Sequence, residues 1–274
     1  MIKNAYKNQC APFLKWAGGK RWLIAKHAMI FPDTFNRYIE PFLGSGAVFF
    51  KLQPKEAILS DINKELMDTY RAIKEDWKKV FKKLQRHHKL FNKDYYYQIR
   101  RSSPQNIYDK AARLIFLNRT CWNGLYRVNL KGEFNVPIGT KTAVVREEDD
   151  FEKICETLKN ATLMDGDFEA IIDQTKKDDL IFVDPPYTVL HDDNGFIKYN
   201  EQLFSWADQV RLKNCLKRAK ERGSKIIIAN ASHISIKELY ESAFSITEIQ
   251  RHSIIAASAE KRKSCKELVI TSFI

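Results

Sequence analysis

The sharpest chemical signal in the sequence is the tetrapeptide Asp184-Pro185-Pro186-Tyr187, which follows the apolar run 180–183. Proline fixes φ and has no N–H, so two successive prolines stiffen the end of a buried strand and leave carbonyl oxygens available to a ligand. Asp184 adds a carboxylate acceptor, and Tyr187 adds a ring on which a base can stack or near which a cation is favoured. This set of acceptors suits an exocyclic NH2 group. The alternative interpretation is a loop that simply contains two prolines.

A glycine turn, Gly44-Ser45-Gly46, follows the first predicted strand. Glycines allow a tight turn and a close approach of a ligand to the backbone. Phe49 stands where a dinucleotide fingerprint requires a third glycine, and no G-x-x-x-x-G-K-[ST] loop occurs in the sequence. Asp61, at the end of the second predicted strand, can bind a ribose diol or can cap a turn. We therefore expect a pocket for a nucleoside without a phosphate chain.

The elements that position these residues follow an α/β pattern that is interrupted once. Short apolar runs predict strands at 38–40, 57–60, 162–164, 180–183, 225–228, 244–249 and 268–273. A helix is predicted after the glycine turn, and another begins at a capping box, Ser205 with Asp208, and stops at Gly223. From 63 to 90, apolar residues recur at helical spacing. We expect one sheet of about seven strands, with ligands beyond the carboxyl ends of its strands.

The interruption, residues 64–150, is basic. It holds 19 Lys and Arg against 11 Asp and Glu, and this surplus of eight makes up two thirds of the chain's net charge of +12. Basic and aromatic residues together are typical of a nucleic-acid surface, although a helical subdomain with solvated faces would look similar. The predicted organisation is a catalytic domain formed by 1–63 and 151–274, with 64–150 inserted as a recognition domain.

Several protein classes do not fit the sequence. The five cysteines are widely spaced and form no C-x-x-C pair, so neither a disulfide framework nor a structural zinc site is expected. The first residues show no signal-peptide pattern, and no apolar run approaches the roughly 18 residues of a membrane span. We expect a cytoplasmic protein that binds no metal and no membrane.

Six segments, in this order, resemble the Dam-type (class alpha) DNA adenine-N6 methyltransferases over nearly the whole chain. They are FLKWAGGK (13–20), EPFLGSG (40–46), SDIN (60–63), NGLYR (123–127), GEFNVP (132–137) and DPPY (184–187). The resemblance implies a Rossmann-like methyltransferase sheet with an inserted helical target-recognition domain. It also implies methyl transfer from S-adenosyl-L-methionine to N6 of adenine in double-stranded DNA, EC 2.1.1.72.

The resemblance carries residue roles as well. The cofactor-binding residues would be Trp16, Ala17, Gly18, Lys20, Glu40, Phe42, Gly44, Gly46, Asp61, Asp167, Phe168 and Asp184. The target adenine would be held by Asp184, Pro185, Pro186 and Tyr187. The residues that match DNA-contacting positions are Lys15, Trp122, Asn123, Leu125, Arg127 and Pro137. Arg127 would read a guanine in the major groove or meet a phosphate, and Trp122 would wedge into the base stack or belong to the core.

Some alternatives stay open at the level of sequence. The same acceptors would hold the N4 amine of cytosine, and a DNA-binding accessory protein of a defence module would share the basic insert. RNA methylation is a third alternative, although no RNA-binding module is recognisable in the insert. Thr140 and Lys141 stand where a well-known relative has Arg and Tyr. Because contacts there help to set sequence choice, the exact recognition sequence is left open, with GATC expected from the resemblance. We expect a monomer that has a restriction endonuclease as a candidate partner.

Overall fold

The strands lie close to the positions that the apolar runs predict. In a computed structural model that describes residues 10–129, 131–189, 204–252 and 264–273, they are β1 Tyr38–Glu40, β2 Ala57–Asp61, β3 Ala161–Asp165, β4 Leu180–Val183, β5 Lys225–Ala231, β6 Ser245–His252 and β7 Ser264–Thr271. The strand order is β3-β2-β1-β4-β5-β7-β6. β1, β4 and β5 are parallel, β2 and β3 are parallel, and β7 is antiparallel to β5 and β6. The prediction of a Rossmann-like α/β sheet of about seven strands is confirmed.

The α-helices of the described residues alternate with the strands, except that four of them follow β2 and none is described between β6 and β7. They are α1 Arg21–His27, α2 Ala47–Leu52, α3 Lys64–Leu90, α4 Lys93–Arg101, α5 Ile107–Thr120, α6 Phe151–Lys159, α7 Phe168–Ile172, α8 Trp206–Glu221 and α9 Ile234–Tyr240. The predicted capping box begins α8: Ser205 Oγ accepts from the Asp208 N–H, and Asp208 accepts from the Ser205 N–H. No helix within these residues is long and apolar enough to cross a membrane.

The chain divides into two compact units. The first comprises Met1–Asp33 and Leu43–Gly166, and the second comprises Thr34–Phe42 and Asp167–Ile274. The predicted insert, 64–150, falls within the first unit, which also contains α1, α2, β2 and β3. The division of the chain at 63 and 150 stays a prediction.

In the first unit, α3 carries its apolar residues on one buried face. Leu66, Tyr70, Ile73 and Leu84 are fully buried, and the helix packs against α5 and α6. Asp76 interrupts the helix with φ −154° and ψ 83°. Its carboxylate accepts a hydrogen bond from the Lys79 N–H at 3.1 Å, so Asp76 caps the second half of α3 in the way an N-cap residue does.

The stretch after α5 is a ribbon that includes one short 3-10 helix, Trp122–Gly124. Residues 120–129 and 131–139, called here the recognition ribbon, form two arms joined by the isolated bridges Cys121↔Ile138 and Val128↔Phe134. The two arms approach each other closely at Gly139, where a Cβ would lie only 2.5 Å from the Cys121 carbonyl oxygen. The predicted insert therefore contains the three helices α3, α4 and α5, followed by this hairpin. The hairpin was not predicted from the sequence.

A buried ion pair fastens the end of α5. The Arg119 guanidinium, which has no solvent exposure, donates to the two carboxylate oxygens of Asp149 at 2.5 and 2.7 Å. It also donates to the carbonyl oxygens of Phe13 and Val144. The charge of Arg119 is thus fully hydrogen-bonded, as a buried charge requires.

In the second unit, the central strand β4 lies between β1 and β5. The register pairs Tyr38 with Leu180 and Val183 with Ile228, and the side chains of β4 are fully buried. Because the three strands are parallel, the residues that follow β1 and β4 emerge at the same edge. Glu40 at the end of β1 and Asp184 after β4 are therefore brought to one edge, where ligands bind in sheets of this kind.

Candidate active site and DNA-binding residues

In the first unit, Asp61 shapes the glycine turn. Its Oδ2 accepts a hydrogen bond from the Gly44 N–H at 3.0 Å, and its Oδ1 accepts one from the Asn63 N–H at 2.9 Å. Burial raises the pKa of Asp61, and these backbone N–H groups oppose that rise. Each carboxylate oxygen has two lone pairs, so Asp61 holds the turn and retains acceptor capacity for a ribose hydroxyl.

Trp16 lies directly against this turn. Gly44 has φ +49°, and a Cβ there would lie 2.6 Å from Cδ1 of the Trp16 indole. Trp16 also stacks on Tyr126, with ring centroids 5.2 Å apart and planes at 24°. Lys20, only 2% exposed, donates from Nζ to the Gly18 carbonyl oxygen at 2.6 Å. The N-terminal segment and the glycine turn that the resemblance assigned to cofactor binding are thus neighbours.

Gly44→Ala is expected to weaken binding of S-adenosylmethionine by about tenfold or more. The new methyl group would have to displace the Trp16 indole, and overpacking of this kind costs about 1–3 kcal/mol, where 1.4 kcal/mol is a factor of ten. Titration calorimetry measures the effect. Gly132→Ala is the matched control, because Gly132 also has positive φ but has nothing within 4 Å of its Cβ position. Equal affinities in Gly44→Ala and the wild type would contradict the expectation.

In the second unit, the acidic residue at the end of β1 is enclosed. Glu40 is buried and accepts a hydrogen bond from the Tyr38 hydroxyl at 2.9 Å. Burial, and then the charge of Glu40, raise the pKa of Tyr38, so the hydroxyl remains a donor. Tyr38 thereby orients the Glu40 carboxylate.

An aromatic cluster also belongs to the second unit. Phe42 stacks on Phe168 with ring centroids 5.5 Å apart, and both rings contact Phe204. The Arg211 guanidinium lies 4.2 Å from the Phe168 centroid and binds both carboxylate oxygens of Asp167 at 2.6 and 2.8 Å. Hydrogen bonds from Arg211 lower the pKa of Asp167. Phe42, Asp167 and Phe168 are therefore brought together, and Arg211 is a partner that the sequence analysis missed.

The tetrapeptide after β4 is anchored through its tyrosine. The Tyr187 hydroxyl donates to Oε2 of Glu267 at 3.0 Å. Glu267 lies on β7 opposite Ala231 of β5 and is only 4% exposed. Asp184 and Pro186 are partly exposed, and Pro185 is buried. The hydrogen bond to Glu267 ties the Tyr187 side chain to β7.

The residues predicted to contact DNA all belong to the first unit, and most are exposed. Trp122 is 57% exposed, so it does not belong to the core. Arg127 is exposed and donates from Nε to Asn135 Oδ1 at 2.8 Å across the recognition ribbon. Lys15, Asn123 and Pro137 are exposed, and Leu125 is half-buried. Burial, and then the positive charges of Arg146 and Lys141, lower the pKa of Lys15, which marks a local concentration of positive charge.

Asn118, which the sequence analysis missed, joins two of these segments. Its Oδ1 accepts from the Lys15 N–H at 2.9 Å, and its Nδ2 donates to the carbonyl oxygens of Lys15 at 2.7 Å and Gly124 at 3.2 Å. Asn118 is fully buried near the end of α5. The one available signal was a polar residue directly after the apolar run 114–117.

A comparison with protein families identifies the class to which this site belongs. Residues 16–255 match the model of the D12 class N6 adenine-specific DNA methyltransferases, so the chain belongs to this family.

Individual relatives agree over nearly the full length. A type II methyltransferase, M1.LlaDCHI, of Lactococcus lactis subsp. cremoris is 35% identical over 96% of this chain and 95% of its own. A type II methyltransferase, M.MjaIII, of Methanocaldococcus jannaschii is 35% identical over 96% of this chain and 99% of its own. A DNA adenine methylase of Haemophilus influenzae is 34% identical over 94% of this chain and 92% of its own.

The methyl donor of this family is S-adenosyl-L-methionine, and the residues described above fit it. In the first unit, Asp61 offers acceptor capacity beside a turn that would not admit a Cβ. In the second unit, Glu40 is a buried carboxylate, and Phe42 and Phe168 form an apolar aromatic surface. The sequence holds no phosphate-binding loop, and the donor has no phosphate. Within the described residues, no group of three or more potential metal ligands is found.

Proposed function

We propose that this enzyme methylates N6 of a flipped-out adenine within a short site of double-stranded DNA, GATC or a related sequence. The observation that carries the proposal is the clamp at the carboxyl end of β4. It combines the Asp184 carboxylate, the Pro185 carbonyl and a Tyr187 ring held by the buried Glu267. Both acceptors match the two N–H groups of an exocyclic amine.

The recognition ribbon supplies the proposed DNA contacts. An adenine amine cannot be reached while the base is stacked and paired, and flipping costs a few kcal/mol. Trp122, exposed at the start of the ribbon, has the surface to fill the space that the base leaves. The positive charges of Lys15, Lys141 and Arg146 attract the phosphate backbone and offset part of the cost. Leu125, Asn123 and Pro137 add contacts along the same ribbon.

The clamp then prepares the amine. The adenine ring stacks on Tyr187, and its two N6–H groups donate to the Asp184 carboxylate and the Pro185 carbonyl. These hydrogen bonds hold the amine away from conjugation with the ring, so its lone pair becomes nucleophilic. Pro186 keeps the backbone of the clamp rigid. S-adenosylmethionine supplies an electrophilic methyl group on its sulfonium sulfur.

The remaining cofactor roles are those that the family resemblance implies. Asp61 would bind the ribose hydroxyls, and the turn at Gly44 and Gly46 would line the methionine side. The N-terminal part of the pocket would be formed by Trp16, Ala17, Gly18 and Lys20. Glu40 and Phe42 take part through the end of β1. Asp167 and Phe168 would flank the adenine of the cofactor, and Arg211 fixes the Asp167 carboxylate.

The biological setting is also part of the proposal. Two of the relatives are named type II methyltransferases. This supports a role in protecting cytoplasmic DNA from a restriction endonuclease of the same specificity, carried out by a monomer. Thr140 and Lys141, which depart from a well-known relative, would set how far the site differs from GATC.

Modification-sensitive long-read sequencing tests the proposal. DNA is taken from cells expressing the wild type and from cells expressing Asp184→Ala. We expect N6-methyladenine confined to one short motif in the first sample and absent from the second. Methylation of cytosine, or no methylation in either sample, would contradict the proposal.

A further inference from the structure

Tyr126 lies between two residues that are proposed to contact DNA, yet its own ring is turned toward the cofactor side of the first unit. It stacks on Trp16 at 5.2 Å and meets Phe134, on the other arm of the recognition ribbon, edge-on at 5.9 Å. Tyr126 thus belongs to one arm of the ribbon, contacts Phe134 on the other arm, and also contacts Trp16.

Trp16 in turn packs against the glycine turn. A Cβ at Gly44 would collide with the indole, and the Gly44 N–H is hydrogen-bonded to Asp61. A continuous series of contacts thus runs from the ribbon through Tyr126 and Trp16 to the carboxylate proposed to bind ribose.

The Tyr126 hydroxyl forms a second link. It donates to Oε2 of Glu65 at 2.9 Å, and Glu65 is held from α5 by Arg113 at 3.1 Å. Glu65 follows Asn63 by two residues, and the Asn63 N–H donates to Oδ1 of Asp61. Burial, and then Glu65, raise the pKa of Tyr126, so the hydroxyl stays protonated and able to donate. Both links end at the same carboxylate.

We infer that Tyr126 is a positioning residue that couples occupancy of the cofactor site to DNA recognition by its neighbours Leu125 and Arg127. This inference rests on the proposed function. A bound cofactor that fixes Trp16 and the turn also fixes Tyr126, so the ribbon is ordered before DNA arrives. DNA binding then loses less conformational entropy. By linkage, cognate DNA raises cofactor affinity by the same factor.

The test measures DNA affinity with and without S-adenosylhomocysteine, a cofactor analogue that cannot donate a methyl group. Fluorescence anisotropy is measured with a DNA duplex that contains the motif identified by sequencing. It gives the ratio of the two dissociation constants. For the wild type we expect tightening of about fivefold or more, the lower end of usual coupling. Tyr126→Leu, which lacks the aromatic plane and the hydroxyl, should reduce this factor to near one. Tyr126→Phe keeps the stack, loses the hydrogen bond to Glu65 and should fall between the two.

Tyr108→Phe is the matched control. It also removes a tyrosine–glutamate hydrogen bond, from Tyr108 to Glu75 at 2.8 Å, but at the opposite end of α5 from the ribbon. It should retain the wild-type factor. The inference is overturned if either Tyr126 variant retains the whole factor, or if a wild type that methylates DNA shows no coupling. A wild type that binds no S-adenosylhomocysteine and methylates no DNA would instead overturn the proposed function.

Discussion

Replacing Asp184 with alanine is expected to lower methyl transfer to adenine by at least about 100-fold while DNA binding persists. The carboxylate is the charged acceptor of the proposed clamp, and removing one preorganised polar group of this kind typically costs 100- to 1000-fold in turnover. DNA binding should persist because the residues proposed to contact DNA belong to the other unit, in and near the recognition ribbon. Single-turnover transfer of a radiolabelled methyl group measures the first quantity, and anisotropy measures the second.

Asp178→Asn is the control for this variant. Asp178 precedes β4, as Asp184 follows it, and its positive φ of 62° is one that asparagine tolerates. The control should transfer methyl groups at the wild-type rate. Near-normal turnover in Asp184→Ala would rule out the carboxylate as the acceptor for the N6 amine.

Replacing Arg127 with alanine is expected to relax sequence choice at one base pair of the site. The hydrogen bond from Nε to Asn135 orients the guanidinium and leaves its two terminal amino groups to form a bidentate pair with a guanine. Such a pair discriminates against the wrong base by about 1–3 kcal/mol. Competition between the cognate duplex and a set of single-base variants measures the change.

Lys15→Ala serves as the contrast. A lysine that meets phosphate contributes affinity without reading sequence, so its loss should weaken all duplexes alike and reduce the salt slope by about one. If Arg127→Ala weakened every duplex equally and left their ranking intact, Arg127 would be a phosphate contact as well.

Most of the strands were predictable because they contain a short apolar run between polar residues. β4 was predicted to the residue, and β1 likewise, since Glu40 and Asp184 sharply end their runs. β7 was placed several residues too late, because it begins in the polar segment Ser264–Glu267 and only its pairing with β6 extends it. The recognition ribbon was missed because its arms have neither alternation nor an apolar run.

Within the candidate site, only the residues that belong to motifs were predictable from the sequence. Asp61, Phe168 and Tyr187 are named by their motifs, whereas their partners are not. In the sequence, Arg211 stands among the charged residues of a predicted helix and Glu267 directly precedes the apolar run 268–270, so both resemble ordinary surface charges. Only tertiary packing, which no local pattern encodes, brings Arg211 to Asp167 and Glu267 to Tyr187.

The buried Arg119 has a consequence for the order of events on the ribosome. Its carboxylate partner, Asp149, lies 30 residues further along the chain. Burying the guanidinium before that residue emerges would leave an unpaired charge, which costs several kcal/mol. At roughly 5–20 residues per second, the ribosome needs about 1.5–6 seconds to synthesise the 30 residues from Arg119 to Asp149. The end of α5 therefore docks only after the whole recognition ribbon has been made, and a nascent chain arrested before Asp149 would keep it exposed to protease.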